Sequence, residues 1–156
     1  MMLSIHAAVG ISTSFLFCKK VDSGPDKIKP YIAPLLLNVA LHGIFDVIPH
    51  SHLIPTTPDI IITLLISALL IPFVKKKYLT LILICCLGSI LPDVIDLGVF
   101  RILGFGAFRI FPWHFIEVYN FLNTIYANQS VNVLFDVLAL LVCFVLILWK
   151  RNDVGA

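Results

Sequence analysis

Five apolar stretches dominate this chain, and they constrain it more than anything else in the sequence: Leu3–Cys18, Tyr31–Ile48, Pro58–Val74, Tyr78–Phe100 and Val131–Trp149. A hydrocarbon core of roughly 30 Å takes about 20 helical residues, so the last two stretches suffice and the first three are a little short. Short spans are accommodated by bilayer thinning or by interfacial anchoring. The expectation is therefore an all-α, polytopic membrane helical bundle of about five transmembrane helices, a single membrane-embedded domain over residues 1–156. Charge agrees with it. Only 13% of residues are charged and 60% are hydrophobic, whereas a soluble domain keeps roughly a quarter of its residues charged. The net charge of +2 gives no reason to expect nucleic acid; membrane lipids are the expected partners.

The segment Met1–Cys18 has the length of a secretory leader but lacks a basic start, carries His6 inside its apolar run and has Lys19 and Lys20 after it. It is expected to be a retained helix. Lys19–Pro30 is polar and turn-rich and reads as a loop. Arg101–Ser130 is apolar but broken by Gly104, Gly106 and Pro112, and its Trp113, Tyr119 and Tyr126 suit one or two interfacial helices. Cys18, Cys85, Cys86 and Cys143 lie in apolar runs without Cys-x-x-Cys spacing, so they read as small packing residues.

Lys and Arg in short loops mark the cytoplasmic side. An outside N-terminus puts Lys19, Lys20, Lys27, Lys29, Lys75, Lys76, Lys77, Lys150 and Arg151 inside and leaves Arg101 and Arg109 outside, nine against two. With orientation set by basic residues alone, the other ionisable groups separate. Asp22, Asp26 and Asp153 fall inside. His6, His42, Asp46, His50, His52, Asp59, Asp93, Asp96, His114, Glu117 and Asp136 all fall in the outer halves of spans or in outer loops.

The second stretch carries Asn38, His42, Asp46 and His50 at four-residue steps, one helix face. Pro49 interrupts the helix before His50, leaving that ring free to turn towards its neighbours. A carboxylate at span depth costs about 2.5–3.5 kcal/mol at mid-span and normally faces a partner inside the bundle. His-x-x-x-Asp on one face presents two metal ligands; the plainer alternative is a His–Asp hydrogen bond between helices. The fourth stretch ends Pro92-Asp93-Val94-Ile95-Asp96, two carboxylates on one side of a helix, which a cation or a shared proton would neutralise. Solvated carboxylates at a helix end are the alternative there. His6 and His114 fall on the same side. Asp136 suits a group behind a ligand, His52 a solvated loop, and Asp59 a cap for the third helix after Pro58.

The string Leu41-His42-Gly43-Ile44-Phe45-Asp46-Val47-Ile48-Pro49-His50, with the early His6 and the later Leu91-Pro92-Asp93-Val94-Ile95-Asp96, resembles the bacterial membrane-bound metal-dependent hydrolase family. Those proteins are distantly similar to zinc-dependent phospholipases C. His6, His42, Asp46, His50 and Asp93 match the motif positions, Asp96 and His114 loosely, over about residues 6 to 114. The closely spaced terminal His pair of many members is represented only by His114. The resemblance implies a metal-dependent hydrolase of the bacterial inner membrane, with an outer-face site and a C-terminus in the cytoplasm.

The expected metal ligands are His6, His42, Asp46, His50, Asp93 and His114, with Asp96 or Glu117 as base or supporting group. Imidazole and carboxylate donors suit Zn2+, with Mn2+ or Fe2+ as alternatives. The expected substrate is a phospholipid or another lipid-linked phosphoester, because the site falls at headgroup level. Two other readings use the same residues: a cation or proton transporter, and a non-catalytic scaffold with a structural metal.

Overall fold

The computed structural model describes residues 3–23, 28–48, 56–70, 74–105, 108–115, 118, 121 and 129–154. They form helices throughout, and among the described residues there is no β-strand. The long helices are α1 (Leu3–Ser23), α2 (Lys29–Val47), α3 (Thr56–Leu70), α4 (Leu79–Asp93) and α5 (Gln129–Val154), one on each apolar stretch. Three segments are long and apolar enough to cross a membrane: Lys29–Val47, Lys76–Asp96 and Asn132–Lys150. Helix α3, at 15 residues, is only about 22 Å long at 1.5 Å per residue. Helix α1 ends in charged residues and carries Ser12, Thr13 and Ser14 at its middle.

That hydroxyl run sits where it does because α1 is the centre of the bundle. It packs against α2, α3, α4 and α5, and Ser12, Thr13 and Ser14 are all buried. Their hydroxyls donate to carbonyls three or four residues back, at 2.6–3.1 Å, so burial leaves them satisfied. Thr13 Oγ1 also lies 2.9 Å from Asn38 Oδ1, a second acceptor for its one hydroxyl proton that brings α1 against α2. The outer helices show the opposite pattern. Leu64 on α3, Leu83 on α4 and Val142 and Val145 on α5 are large, apolar and exposed, a surface fitted to lipid.

Two contacts fix how the ends align. The α1 N-terminus lies against the start of α3, where buried Asp59 accepts the Ser4 N–H at 3.2 Å. Asp59 thus satisfies a first-turn donor of α1, from the first turn of a helix that begins at Thr56. At the other end α1 runs on to Ser23, into the segment read from sequence as loop, and Asp22 accepts from Lys77 Nζ at 2.8 Å and from the Tyr78 hydroxyl. The hydrogen bonds from Lys77 and Tyr78 hold the exposed Asp22 carboxyl below its ordinary range. Between these ends lies an apolar core of Ile11, Phe15, Cys18, Val74, Tyr78, Leu81 and Cys85. All four cysteines are free thiols, as packing residues should be.

Beyond Asp93 the helix changes pitch. Val94–Val99 is a π-helical stretch, closed by Phe100 N–H bonding Ile95 O five residues back, and Phe100–Ile102 adds one α turn. Pro92, which lacks an N–H, precedes this widening. Gly104 then takes φ +81, where a side chain is strained, and Phe105 N–H bonds Phe100 O at 2.8 Å. This ending reverses the chain into a strap, residues 108–115, with a single 3-10 turn at Pro112–His114. The expected interfacial helices of 101–130 are represented, among the described residues, by these short turns.

Candidate metal centre

Four side chains from three parts of the fold converge at the end of the bundle opposite Lys19, Lys20 and Lys75–Lys77. They are His42 and Asp46 from the last turns of α2, Asp93 from the end of α4 and His114 from the strap. The i,i+4 spacing delivers the first pair, with His42 Nε2 3.0 Å from Asp46 Oδ2. His42 Nε2 is 3.5 Å from Asp93 Oδ1. His114 Nε2 is 3.0 Å from Asp46 Oδ2 and 3.2 Å from Asp93 Oδ1. Four ligands at roughly 2.0–2.1 Å from a tetrahedral ion lie about 3.3 Å from one another, so these separations are close to what a small cation needs.

The far side of each imidazole is as informative. His42 Nδ1 lies 2.6 Å from the Ser89 carbonyl. A carbonyl only accepts, so Nδ1 carries the proton and Nε2 turns its lone pair towards the carboxylates. His114 Nδ1 lies 2.9 Å from Asp96 Oδ2. Asp96 also accepts the N–H groups of Ile110 at 2.9 Å and Phe111 at 3.0 Å. Both rings are therefore held from behind at Nδ1 and aim Nε2 at one point, the arrangement that orients metal-bound histidines.

The centre is buried and short of donors. Side chains of His42, Asp46, Asp93 and His114 are between 0% and 13% exposed. Among the described residues, His42 Nε2, Asp46 Oδ1 and both Asp93 oxygens are buried without a hydrogen-bond partner. Two carboxylates facing two imidazoles in such a place call for positive charge between them, a cation or protons on the Nε2 atoms. The residues present thus fit a divalent ion by donor type, spacing and electrostatic demand.

Of the expected ligands, the structure gathers His42, Asp46, Asp93 and His114 as one group. His6, 3% exposed, stands beside it. Its ring centroid is 4.3 Å from that of His42, and its Nε2 is 3.3 Å from Asp46 Oδ1. His50, His52 and Glu117 lie outside the described residues. Asp96 is wholly buried, with its oxygens on the Ile110 and Phe111 N–H groups and on His114 Nδ1, a placement that orients the His114 ring. Asp136 is buried on α5 and is not in the group. Sequence reading did not foresee the Ser89 carbonyl, a backbone atom that no residue pattern marks, or the strap N–H groups on Asp96.

No family model, curated protein or solved structure matches this chain.

The Asp96 contacts predict that Asp96→Asn keeps the four candidate ligands yet weakens metal binding about 10- to 100-fold. The amide nitrogen would face a donor that Asp96 now accepts, and His114 would lose its orientation. Zinc titration of detergent-purified protein against a competing chelator measures this; unchanged affinity would show that the strap does not depend on Asp96.

Proposed function

We propose that this chain is a membrane-embedded metal-dependent hydrolase, acting at the outer face on a phospholipid or another lipid-linked phosphoester. The observation that carries the reading is the convergence of two imidazole Nε2 atoms, each with its Nδ1 held from behind, on two buried carboxylates. The resemblance of the His42–His50 and Leu91–Asp96 strings to membrane-bound metal-dependent hydrolases supports the same reading. So does the distribution of basic residues, which argues for a site on the outer face of a bacterial inner membrane and a cytoplasmic C-terminus. In this reading α1 and α3 also cross the bilayer, α1 screened from lipid by its neighbours and α3 as a short span, which makes five.

A divalent ion held by His42, Asp46, Asp93 and His114 would supply an acidified water and polarise a phosphoryl oxygen. The chain's own residues do the rest. His42 and His114 hold their Nε2 lone pairs inward, and Asp96 and the Ser89 carbonyl fix their tautomers. Asp93, the most exposed of the four at 13%, marks the side from which a headgroup would reach the ion. Exposed Phe108, Ile110 and Phe115 on the strap set that side among acyl chains and headgroups.

The scaffold reading has one observation in its favour: four protein ligands at tetrahedral spacing resemble a closed structural site. Against it stand Asp46 Oδ1 and Asp93 Oδ2, acceptors beyond what four-coordination needs. Transport fares less well. Below the site Ser12 and Ser14 bond their own helix, Thr13 and Asn38 join α1 to α2, and the next layer is the apolar core around Phe15 and Leu81.

The experiment is hydrolysis of phospholipid in mixed micelles by metal-loaded protein, beside chelated protein and His42→Ala. Release of a phosphorylated headgroup only by the loaded wild type is expected. Stoichiometric metal with no turnover on any phosphoester would move the chain to the scaffold reading.

A further inference from the structure

The metal centre described above, on which this inference rests, leaves one side of Asp46 unexplained. Its Oδ2 faces His42 and His114, both at 3.0 Å. Its Oδ1 turns the other way, is buried, and among the described residues has no hydrogen-bond donor. The atom it faces is His6 Nε2 at 3.3 Å, on a side chain 4% exposed. Those donors differ from the first set: a different oxygen of Asp46 and a ring from a different helix. Asp93 Oδ2, also buried without a partner, is a further acceptor at the same level.

We propose that the centre takes two divalent cations, with the Asp46 carboxylate bridging them. One lies among His42 Nε2, Asp46 Oδ2, Asp93 Oδ1 and His114 Nε2, the other between His6 Nε2 and Asp46 Oδ1. The unpartnered oxygen favours this over a single ion with His6 as an added ligand: one divalent ion already balances the two negative charges of Asp46 and Asp93, yet it would leave the buried Asp46 Oδ1 without a partner. A carboxylate that offers one oxygen to each of two ions has both satisfied. The second position has fewer protein ligands than the first, so it binds more weakly and keeps room for water and substrate. Paired ions of this kind suit in-line displacement at a phosphoester, where attacking and leaving oxygens both need charge compensation.

Full-length protein in detergent, equilibrated with excess Zn2+ and freed of loose metal, is expected to hold two ions per chain. His6→Ala is expected to hold one, and His42→Ala fewer than His6→Ala. A readout needing no variant is Mn2+ loading followed by electron paramagnetic resonance: an exchange-coupled signal is expected at full loading and an isolated Mn2+ signal at half loading. One ion per chain in the wild type, or two retained in His6→Ala, would overturn the bridged pair while leaving the single centre and the hydrolase reading standing. No bound ion in the wild type would remove both.

Discussion

Asp46→Ala is expected to yield a folded protein that binds no stoichiometric metal and whose thermal stability no longer responds to chelator. Asp46 is the one residue within 3.3 Å of all three described imidazoles, so its removal dissolves the group, where loss of any single histidine only thins it. A ligand that binds only the folded state stabilises it by about 2.7 kcal/mol at a hundred times its dissociation constant. Wild-type protein should therefore melt lower by several degrees once chelated, and the variant should not shift. The sign reverses without metal. Apo wild type keeps two buried carboxylates close together with orphaned oxygens, a costly arrangement that the variant relieves. The expected order is metal-loaded wild type above Asp46→Ala, and Asp46→Ala at or above chelated wild type. Protons enter the same balance. Each Nε2 must be unprotonated to bind, so metal affinity falls as pH falls, and the chelator shift shrinks with it. A melting temperature of Asp46→Ala far below that of chelated wild type would show that Asp46 is held for helix packing alone.

The residues at the heart of the group were legible because α-helical periodicity needs no tertiary information. A four-residue step places His42 and Asp46 on one face, and Pro92-Asp93 marks a helix end. Which partners those groups meet was not legible. Asp93 and Asp96, three apart, do meet one partner, but at opposite nitrogens: Asp93 Oδ1 lies 3.2 Å from His114 Nε2 and Asp96 Oδ2 2.9 Å from His114 Nδ1, and Asp96 also takes the strap N–H groups, which residue spacing alone does not show. Asp59 has a partner no sequence pattern marks: a carboxylate early in a helix reads as that helix's cap, and only packing shows the Ser4 N–H of another helix beside it. The first apolar stretch was the weakest span by hydropathy and proves the most enclosed helix. Hydropathy measures what a helix needs when lipid surrounds it, and α1 is surrounded by protein that accepts its hydroxyls.

The packing that sets the centre makes its own prediction at Gly88. A Cβ there would lie 2.7 Å from the Leu35 carbonyl oxygen and 3.0 Å from Asn38 Cβ, both on α2. The carbonyl belongs to the backbone, so no rotamer change relieves the contact and α2 must move off α4. Two effects compete in Gly88→Ala. Alanine favours a helix interior over glycine by about 1 kcal/mol, and forcing apart a close-packed interface costs typically about 1–3 kcal/mol. Crowding against backbone lies towards the upper end of that range, so a net loss of about 1–2 kcal/mol is expected. Metal affinity should fall as well, although no ligand changes. The next residue, Ser89, holds His42 through its carbonyl at 2.6 Å, and α2 and α4 carry His42 and Asp93 on opposite sides of the ion position. Gly98→Ala is the matched control, since its Cβ would meet only one atom, the Asp93 carbonyl oxygen at 4.0 Å. Thermal unfolding in detergent with and without Zn2+ separates the two effects. The apo midpoint reports the packing cost, and the shift on adding metal reports the distortion of the centre. If Gly88→Ala instead raises the apo midpoint and binds metal as wild type does, helix propensity outweighs crowding and α2 and α4 do not approach as closely as the His42–Ser89 contact requires.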